Sequence, residues 1–233
     1  MRDTPVIGLA HGSRHPGGRI AIERLMAAVG AQGGVLARAA YLDLAQPDLE
    51  SVSRELAGAG YAGAVVVPLL FTSAFHATVD APDAVRRAAV ASGLELSIAD
   101  ILGTGEDIAG LLTACLTEAA VPRDRSVLLF AVGSSDVLAN QSVVDLAARL
   151  SATRPGEVRA AFGTTDPRPT AVLAGLPEPI VVLPLFLADG LLLNPLRAIS
   201  ADRGWSMIEP LGDRAASIVL RRYDGARTSA GLR

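Results

Sequence analysis

The sequence predicts an α/β protein of two lobes whose parallel sheets are related by internal duplication. Short apolar runs alternate with stretches of helical periodicity, the pattern restarts after the polar segment 120–125, and motifs of the first half recur in the second. Runs that are apolar on both faces are typical of parallel strands covered by helices on both sides. We therefore expect an N-terminal lobe over residues 1–121 and a C-terminal lobe over residues 122–233.

The order of the elements follows from the apolar periodicity. In the first lobe the predicted strands are 6–10, 36–42, 64–69 and 95–99, and the predicted helices are 20–29, 49–56, 82–91 and 107–119. In the second lobe the predicted strands are 127–131, 158–162 and 180–186, with a helix over 137–150. The small, polar residues from Asp224 onward predict a disordered tail.

Composition excludes several classes of function. The net charge of -3 argues against a general nucleic-acid binder. All basic residues are arginines, so neither Schiff-base chemistry nor a phosphate loop with a lysine is available. With one cysteine, Cys115, which we expect to be buried, no internal disulfide can form, and we expect a cytoplasmic protein without a membrane segment.

The duplication shows which polar residues the scaffold does not need. The segment Ala10-His11-Gly12-Ser13 matches Ala131-Val132-Gly133-Ser134, so Val132 stands in place of His11. About Leu192 corresponds to His76, and Thr164 or Thr165 to Asp43. Because one copy lacks these polar side chains, their presence in the other copy indicates a function.

His11, Asp43 and His76 follow the first, second and third predicted strands. The carboxyl ends of parallel strands share one edge of the sheet, where ligands of open α/β proteins bind. A lone histidine at a strand end is more often a hydrogen-bonded structural residue, but two at matching positions, both absent from the second copy, favour a site. Two imidazoles and a carboxylate suit Fe²⁺, Co²⁺, Ni²⁺ or Zn²⁺ with positions left open for a substrate.

The loop 12–18 is rich in glycine and precedes a helix, so it is either a phosphate-binding loop or an ordinary strand-to-helix turn. Its spacing does not fit the dinucleotide fingerprint. Arg14 in this loop is a candidate for binding an acidic ligand, whereas His15 is expected on the surface. The run 191–193 is either core or an apolar wall for a flat ligand, and Trp205 is expected to pack in the core.

Taken together, the motifs resemble the sirohydrochlorin chelatases, the class II enzymes that insert cobalt, iron or nickel into tetrapyrroles. The resemblance rests on LAHGSR at 9–14, YLDLAQP at 41–47, VPLLF at 67–71 leading to His76, and DAP at 80–82. It covers the first half closely, and the second half is similar to the degenerate copy of two-domain members.

The resemblance implies a chelatase-like fold of two flavodoxin-like lobes around a tetrapyrrole cleft, with one active centre per chain. It places the family's metal-binding and catalytic histidines at His11 and His76, and its acidic ligand, often Glu, at Asp43. Ser13 and Arg14 are then expected to bind the substrate, whose eight carboxylates suit arginine. Fe²⁺, Co²⁺ or Ni²⁺ would be a substrate, and no nucleotide cofactor is expected.

Other functions remain open from the sequence alone. A tetrapyrrole or metal carrier without catalysis would fit the degenerate second copy and the shorter acid at Asp43. A hydrolase that uses Ser13 is a third hypothesis, which the absence of a Gly-x-Ser-x-Gly elbow disfavours. The expected partner is a small-molecule tetrapyrrole, without nucleic acid or membrane, and a homodimer is left open.

Overall fold

The computed structural model describes residues 3–13, 15–73, 76–229 and 231, apart from the side chains of Pro16 and His76. The chain forms two compact units. One comprises Met1–Gly103 together with Gly212–Arg233, and the other is Thr104–Leu211. Among the described residues, no helix is long and apolar enough to cross a membrane.

The first unit is built on a parallel sheet of four strands in the order β2-β1-β3-β4. Its strands are β1 (Val6–Ala10), β2 (Ala37–Tyr41), β3 (Gly63–Pro68) and β4 (Glu95–Ile98), and its helices are α1 (Pro16–Gly33), α2 (Leu49–Gly58), α3 (Ala81–Ser92) and α8 (Ala216–Ser229). All four predicted strands and three of the predicted helices are confirmed, with ends that differ by a few residues.

Helices cover both faces of this sheet because alternate residues of β1 point to opposite sides. Ile7 and Leu9 belong to one buried cluster with α2 and α3 residues such as Val52 and Val85. Gly8 faces the other side, where a Cβ would come within 2.3 Å of the Met26 sulfur of α1. Helices α1 and α8 pack together in this unit. The result is a doubly wound sheet whose two central strands, β1 and β3, are buried throughout, while the edge strands β2 and β4 are partly exposed.

The second unit repeats the plan, with a parallel sheet in the order β6-β5-β7-β8. Its strands are β5 (Ser126–Ala131), β6 (Val158–Phe162), β7 (Ile180–Pro184) and β8 (Ser206–Met207), and its helices are α4 (Glu106–Glu118), α5 (Val137–Ala152), α6 (Pro169–Leu173) and α7 (Asn194–Arg203). Leu9 pairs with Pro68 in the first sheet as Phe130 pairs with Pro184 in the second. The matching register supports the internal duplication.

The two units are not the two halves of the sequence. Helix α4, which we expected in the N-terminal lobe, packs with α5 in the second unit, whereas α8 packs in the first. The division therefore differs from the expected boundary between residues 121 and 122. Each helix lies beyond the last strand of one repeat, so local periodicity predicts its existence but not the sheet that it covers.

The expected disordered tail is wrong for most of its length, because α8 continues to Ser229. Tyr223 anchors this helix: its side chain is buried, and its hydroxyl donates a 2.6 Å hydrogen bond to the Thr4 carbonyl oxygen just before β1. Arg222 donates from Nε and Nη2 to the carbonyl oxygens of Ile101 and Leu102, at 2.8 and 2.6 Å. Contacts distant in sequence thus fix the end of the chain.

Two of the single-residue expectations are confirmed. Cys115 is buried in α4, and Trp205 packs against the second core cluster. The run 191–193 belongs to the core only in part, and its role as an apolar wall stays a prediction. It forms a 3-10 turn in which Leu193 is fully buried, while Leu191 is 66% exposed.

The Tyr223 hydroxyl gives the first prediction. Tyr223→Phe leaves the buried Thr4 carbonyl oxygen without its partner, which should lower the free energy of unfolding by about 1–3 kcal/mol. Urea unfolding followed by circular dichroism measures the change. Thr228→Ala, which removes an exposed hydroxyl from the same helix, is the matched control and should have a much smaller effect. Equal stability of Tyr223→Phe and the unchanged protein would contradict the anchoring role.

Candidate functional site

The carboxyl edge of the first sheet brings His11 and Asp43 together. The β1–β2 ladder continues past the strand ends, because the Leu42 amide donates to the Ala10 carbonyl oxygen and the Asp43 amide to that of His11, both at 2.9 Å. On the other side of β1, the Leu69 amide donates to the Leu9 carbonyl oxygen at 2.8 Å. The expectation that these two residues share one edge is met for their backbones.

The same edge contains the point where the strand order reverses. From β1 the chain passes through α1 to β2 on one side, and from β3 it passes through α3 to β4 on the other. In doubly wound sheets, ligands bind at the carboxyl ends of the two strands that flank such a switch point. His11 directly follows β1, and His76 lies on the connection from β3 to α3.

His76 opens the π-helical turn His76–Asp80, which leads directly into α3. Single π-turns are frequent at functional sites. The His76 side chain lies outside the described residues, so its role as a metal ligand stays a prediction. Among the described residues, no group of three or more His, Cys, Asp or Glu is arranged to hold a metal ion.

Gly12 is the residue that allows the two loops to approach each other. Its φ is +103°, and a Cβ at this position would lie 1.8 Å from the Asp43 carbonyl oxygen. Asp43 accepts from the Leu44 amide at Oδ1 (2.7 Å), and Leu44 itself has a φ of 61°. The backbone around Asp43 is therefore tightly specified by a glycine and by a local turn.

Ser13 and His15 build the turn that starts α1. The Ser13 hydroxyl oxygen accepts from the His15 amide at 3.0 Å, and His15 Nδ1 accepts from the Gly17 amide at 3.2 Å. His15 is thus the N-cap of α1, a more specific place than the surface position that we expected. Arg14, the other predicted substrate-binding residue of this loop, lies outside the described residues.

The second copy contains the same turn without the histidines. Ser134 Oγ accepts from the Asp136 amide at 3.0 Å, and Asp136 caps α5. Because Ser13 and Ser134 make equivalent bonds, building the turn is sufficient to explain Ser13, and its binding of substrate stays a prediction. The Thr164 amide donates to the Val132 carbonyl oxygen at 2.9 Å, which identifies Thr164 as the counterpart of Asp43.

Tyr41 is a residue beside the site that the sequence did not single out. It ends β2, is buried, and donates from its hydroxyl to the Arg19 carbonyl oxygen at 3.4 Å. Burial, reinforced by the negative charge of Glu23, raises the pKa of Tyr41 to about 12. Tyr41 lies in the motif at 41–47 that carries the family resemblance, but the apolar pattern of β2 indicates only a buried core residue at this position.

The raised pKa predicts a loss of stability at alkaline pH. In the unfolded chain tyrosine ionises near pH 10, whereas folded Tyr41 stays neutral until about pH 12, so its stabilising contribution is complete below about pH 10 and lost between these values. The chain has no lysine to obscure this range. Urea unfolding midpoints between about pH 9 and pH 12 should fall less steeply for Tyr41→Phe than for the unchanged protein. If the unfolding midpoints of the two proteins fall equally with pH, the raised pKa of Tyr41 is contradicted.

Gly12 can be tested against a glycine that has room for a side chain. Gly12→Ala should displace the His11 loop and strongly destabilise the fold, because its Cβ would overlap the Asp43 carbonyl oxygen. Gly34 also has a positive φ, of +64°, but a Cβ there would meet no atom within 4 Å, so Gly34→Ala should cost only about 1 kcal/mol. Urea unfolding measures the free energy of unfolding of both variants. Similar losses of stability would show that the positive φ alone, and not the overlap with Asp43, accounts for the effect of Gly12→Ala.

Both sheets thus have one doubly wound plan and matching edge loops, which define a two-unit α/β protein with a duplicated fold. The family model named CbiX matches residues 5–119 and 126–203, and the chain belongs to this family. The fold is similar to that of "SirB from Bacillus subtilis with Fe3+", with a TM-score of 0.80 and 23% identity over 98% of each chain.

Two further solved structures share the fold. The sirohydrochlorin chelatase SirB of Bacillus subtilis subspecies spizizenii, in complex with cobalt, has a TM-score of 0.79 and 23% identity over 98% of this chain and 97% of that chain. CbiX, described as the terminal enzyme of siroheme biosynthesis in denitrifying bacteria, has a TM-score of 0.70 and 20% identity over 97% and 99%. A search among curated proteins found no match.

Proposed function

We propose that the protein inserts a divalent metal, Fe²⁺ or Co²⁺, into sirohydrochlorin or a closely related tetrapyrrole, in siroheme or cobalamin biosynthesis. Membership of the CbiX family supports the reaction class. One related structure is named a sirohydrochlorin chelatase in complex with cobalt, and another is named SirB with Fe3+. The observation that carries the proposal is the backbone pairing of His11 with Asp43 at the carboxyl edge of the first sheet.

His11, His76 and Asp43 would hold the incoming metal. Two neutral imidazoles and a carboxylate leave coordination positions open, so the ion can exchange its waters for pyrrole nitrogens. One oxygen of Asp43 already accepts from the Leu44 amide, which orients the carboxylate. Ni²⁺ would fit the same ligands, since first-row ions share these preferences.

Metal insertion also requires that two pyrrole N–H protons leave the ring. An imidazole titrates near neutral pH, so His11 or His76 can accept a proton when it is not bound to the metal. No bond is made to phosphate and no electron is transferred, so we propose a reaction without ATP or a redox cofactor. Ser13 and Arg14 would help to bind the substrate, with the Arg14 guanidinium on a carboxylate.

The comparison of the two copies supports one metal-binding centre per chain. Val132 and Thr164 occupy the positions of His11 and Asp43 in the second sheet, and neither valine nor threonine provides an imidazole or a carboxylate. The second unit would therefore take part in binding the substrate rather than the free metal.

The prediction concerns the three histidines. His11→Ala and His76→Ala should each lower kcat/KM for cobalt insertion by roughly 100-fold or more, since each removes a ligand and a proton acceptor. The measurement is the absorbance change of sirohydrochlorin under anaerobic conditions with Co²⁺ or Fe²⁺. His15→Asn, which keeps an N-cap on α1, is the matched control and should retain activity.

The same assay tests the alternative of a tetrapyrrole or metal carrier. Saturable binding of sirohydrochlorin with no gain in rate over the spontaneous reaction would support a carrier and reject the chelatase. Wild-type rates in both the His11→Ala and the His76→Ala variants would reject the site while leaving the reaction in place.

A further inference from the structure

A cavity of about 320 Å³ lies at the amino edge of the second sheet. It is lined by 119–122, which follow α4, by Arg125 just before β5, by 179–181 at the start of β7, and by 204–206 at the start of β8. We call this space the amino-edge cavity. Its lining belongs to the second unit alone. Cavities that bind small molecules begin at about 300 Å³, so this one has room for a small ligand.

The corresponding edge of the first sheet is covered by a helix. The strand register aligns Leu9 with Phe130 and therefore Thr4 with Arg125. Thr4 is buried, and its carbonyl oxygen accepts from Tyr223 of α8. In the second unit the chain instead leaves α4 at this edge and turns into β5. The duplicated scaffold therefore does not need an arginine at this position, and the cavity is a feature of the second copy.

Three arginines lie around the turn that precedes β5, and two of them hold the backbone. Arg123 donates from Nη2 to the Thr153 carbonyl oxygen. Arg154 donates from Nη2 to the carbonyl oxygens of Pro122 and Arg125, at 2.8 and 2.9 Å. These bonds account for the side chains of Arg123 and Arg154, and they fix the backbone that carries Arg125.

The side chain of Arg125 has no such role. Arg125 is partly buried, and within the described part of the chain its guanidinium makes neither a hydrogen bond nor an ion pair. The turn 122–125 contains one carboxylate, Asp124, against the three guanidiniums around it. Burial, together with the positive charge of Arg123, lowers the pKa of Arg154. An anion bound by Arg125 would offset this excess of positive charge.

Trp205 provides an aromatic surface in the same lining. The guanidinium of Arg203 lies over its ring, with Cζ 5.8 Å from the centroid, and is itself paired with Glu178 at 3.0 Å. Trp205 Nε1 is buried and has no hydrogen-bond partner among the described residues. No hydrogen bond from the indole therefore fixes the ring, so a ligand can shift it. Small-molecule sites typically combine aromatic lining with a few polar groups, as Trp205 and Arg125 do here.

We propose that the amino-edge cavity binds a small organic anion with a flat apolar body. Arg125 would bind its carboxylate or phosphate group, and Trp205 would pack against its body. A guanidinium offers paired N–H donors that match the oxygens of either anionic group. This inference is independent of the proposed function, because His11, Asp43 and His76 belong to the first unit.

The test uses Trp205, the only tryptophan in the sequence, as a reporter within the site. Titration of the full chain with benzoate or phenyl phosphate should change the tryptophan fluorescence in a saturable way. Acetate, which lacks the ring, and benzyl alcohol, which lacks the charge, should each bind about tenfold more weakly or worse. Comparison of benzoate with phenyl phosphate identifies the preferred anionic group.

Variants of Arg125 test the cation. Arg125→Ala should weaken binding of the preferred anion by about tenfold or more, because a hydrogen bond between charged groups is lost, and the difference should shrink at high salt. Arg125→Lys should recover part of the affinity. Arg159→Ala, which removes an exposed arginine of the edge strand β6 paired with Glu157, is the matched control and should bind normally. Circular dichroism shows that each variant is folded.

Equal affinity of folded Arg125→Ala and the unchanged protein would overturn the inference. A fluorescence change that benzyl alcohol produces as strongly as benzoate would also overturn it, since the charge would then contribute nothing. A response to both anions that never saturates would show general attraction to the arginines and no site. None of these outcomes bears on metal insertion, which is measured separately with sirohydrochlorin.

Discussion

The candidate site depends on one backbone interaction, the hydrogen bond from the Asp43 amide to the His11 carbonyl oxygen. It extends the β1–β2 ladder beyond the strands and places the two predicted ligands His11 and Asp43 next to each other. Only glycine fits at position 12, because any Cβ there would overlap the Asp43 carbonyl oxygen. The second copy keeps the same bond between Thr164 and Val132 and the same positive φ at Gly133. The backbone conformation of these edge loops is therefore the same whether the side chains are His11 and Asp43 or Val132 and Thr164.

Strands and most helices could be predicted because each leaves a local pattern. The run 64–69 is apolar and β-branched in the sequence, and in the structure β3 is buried throughout. The division into units could not be predicted in this way. Hydrogen bonds between residues far apart in the chain place α8 on the first sheet. Tyr223 donates to the Thr4 carbonyl oxygen, and Arg222 donates to those of Ile101 and Leu102.

The tail from Asp224 illustrates a related limit. Its residues are small and polar, yet they continue α8, with Thr228 Oγ1 donating to the Asp224 carbonyl oxygen at 2.8 Å. A helix that is already nucleated can extend through residues that would not start one. Composition alone therefore underestimated the order of the C-terminus. Within the site, by contrast, the sequence was sufficient to predict that His11 and Asp43 lie together, since parallel strands end at one edge.

The duplication also allows an acid and an arginine to occupy the equivalent position after the second strand of each sheet. The Tyr41 amide donates to the Pro47 carbonyl oxygen as the Phe162 amide donates to that of Pro167, which aligns Asp48 with Arg168. The Arg168 guanidinium donates to the carbonyl oxygens of Gly163 and Thr164 in its own turn. A guanidinium at position 48 would lie on the connection that follows Asp43, where it could pair with the carboxylate and compete with a metal ion for it. The acid Asp48 avoids that competition and caps α2. In the second copy the neutral Thr164 forms no ion pair with an arginine, so Arg168 can occupy the equivalent position. Separate copies thus allow one chain to carry a carboxylate at the edge of the first sheet and a guanidinium at the edge of the second.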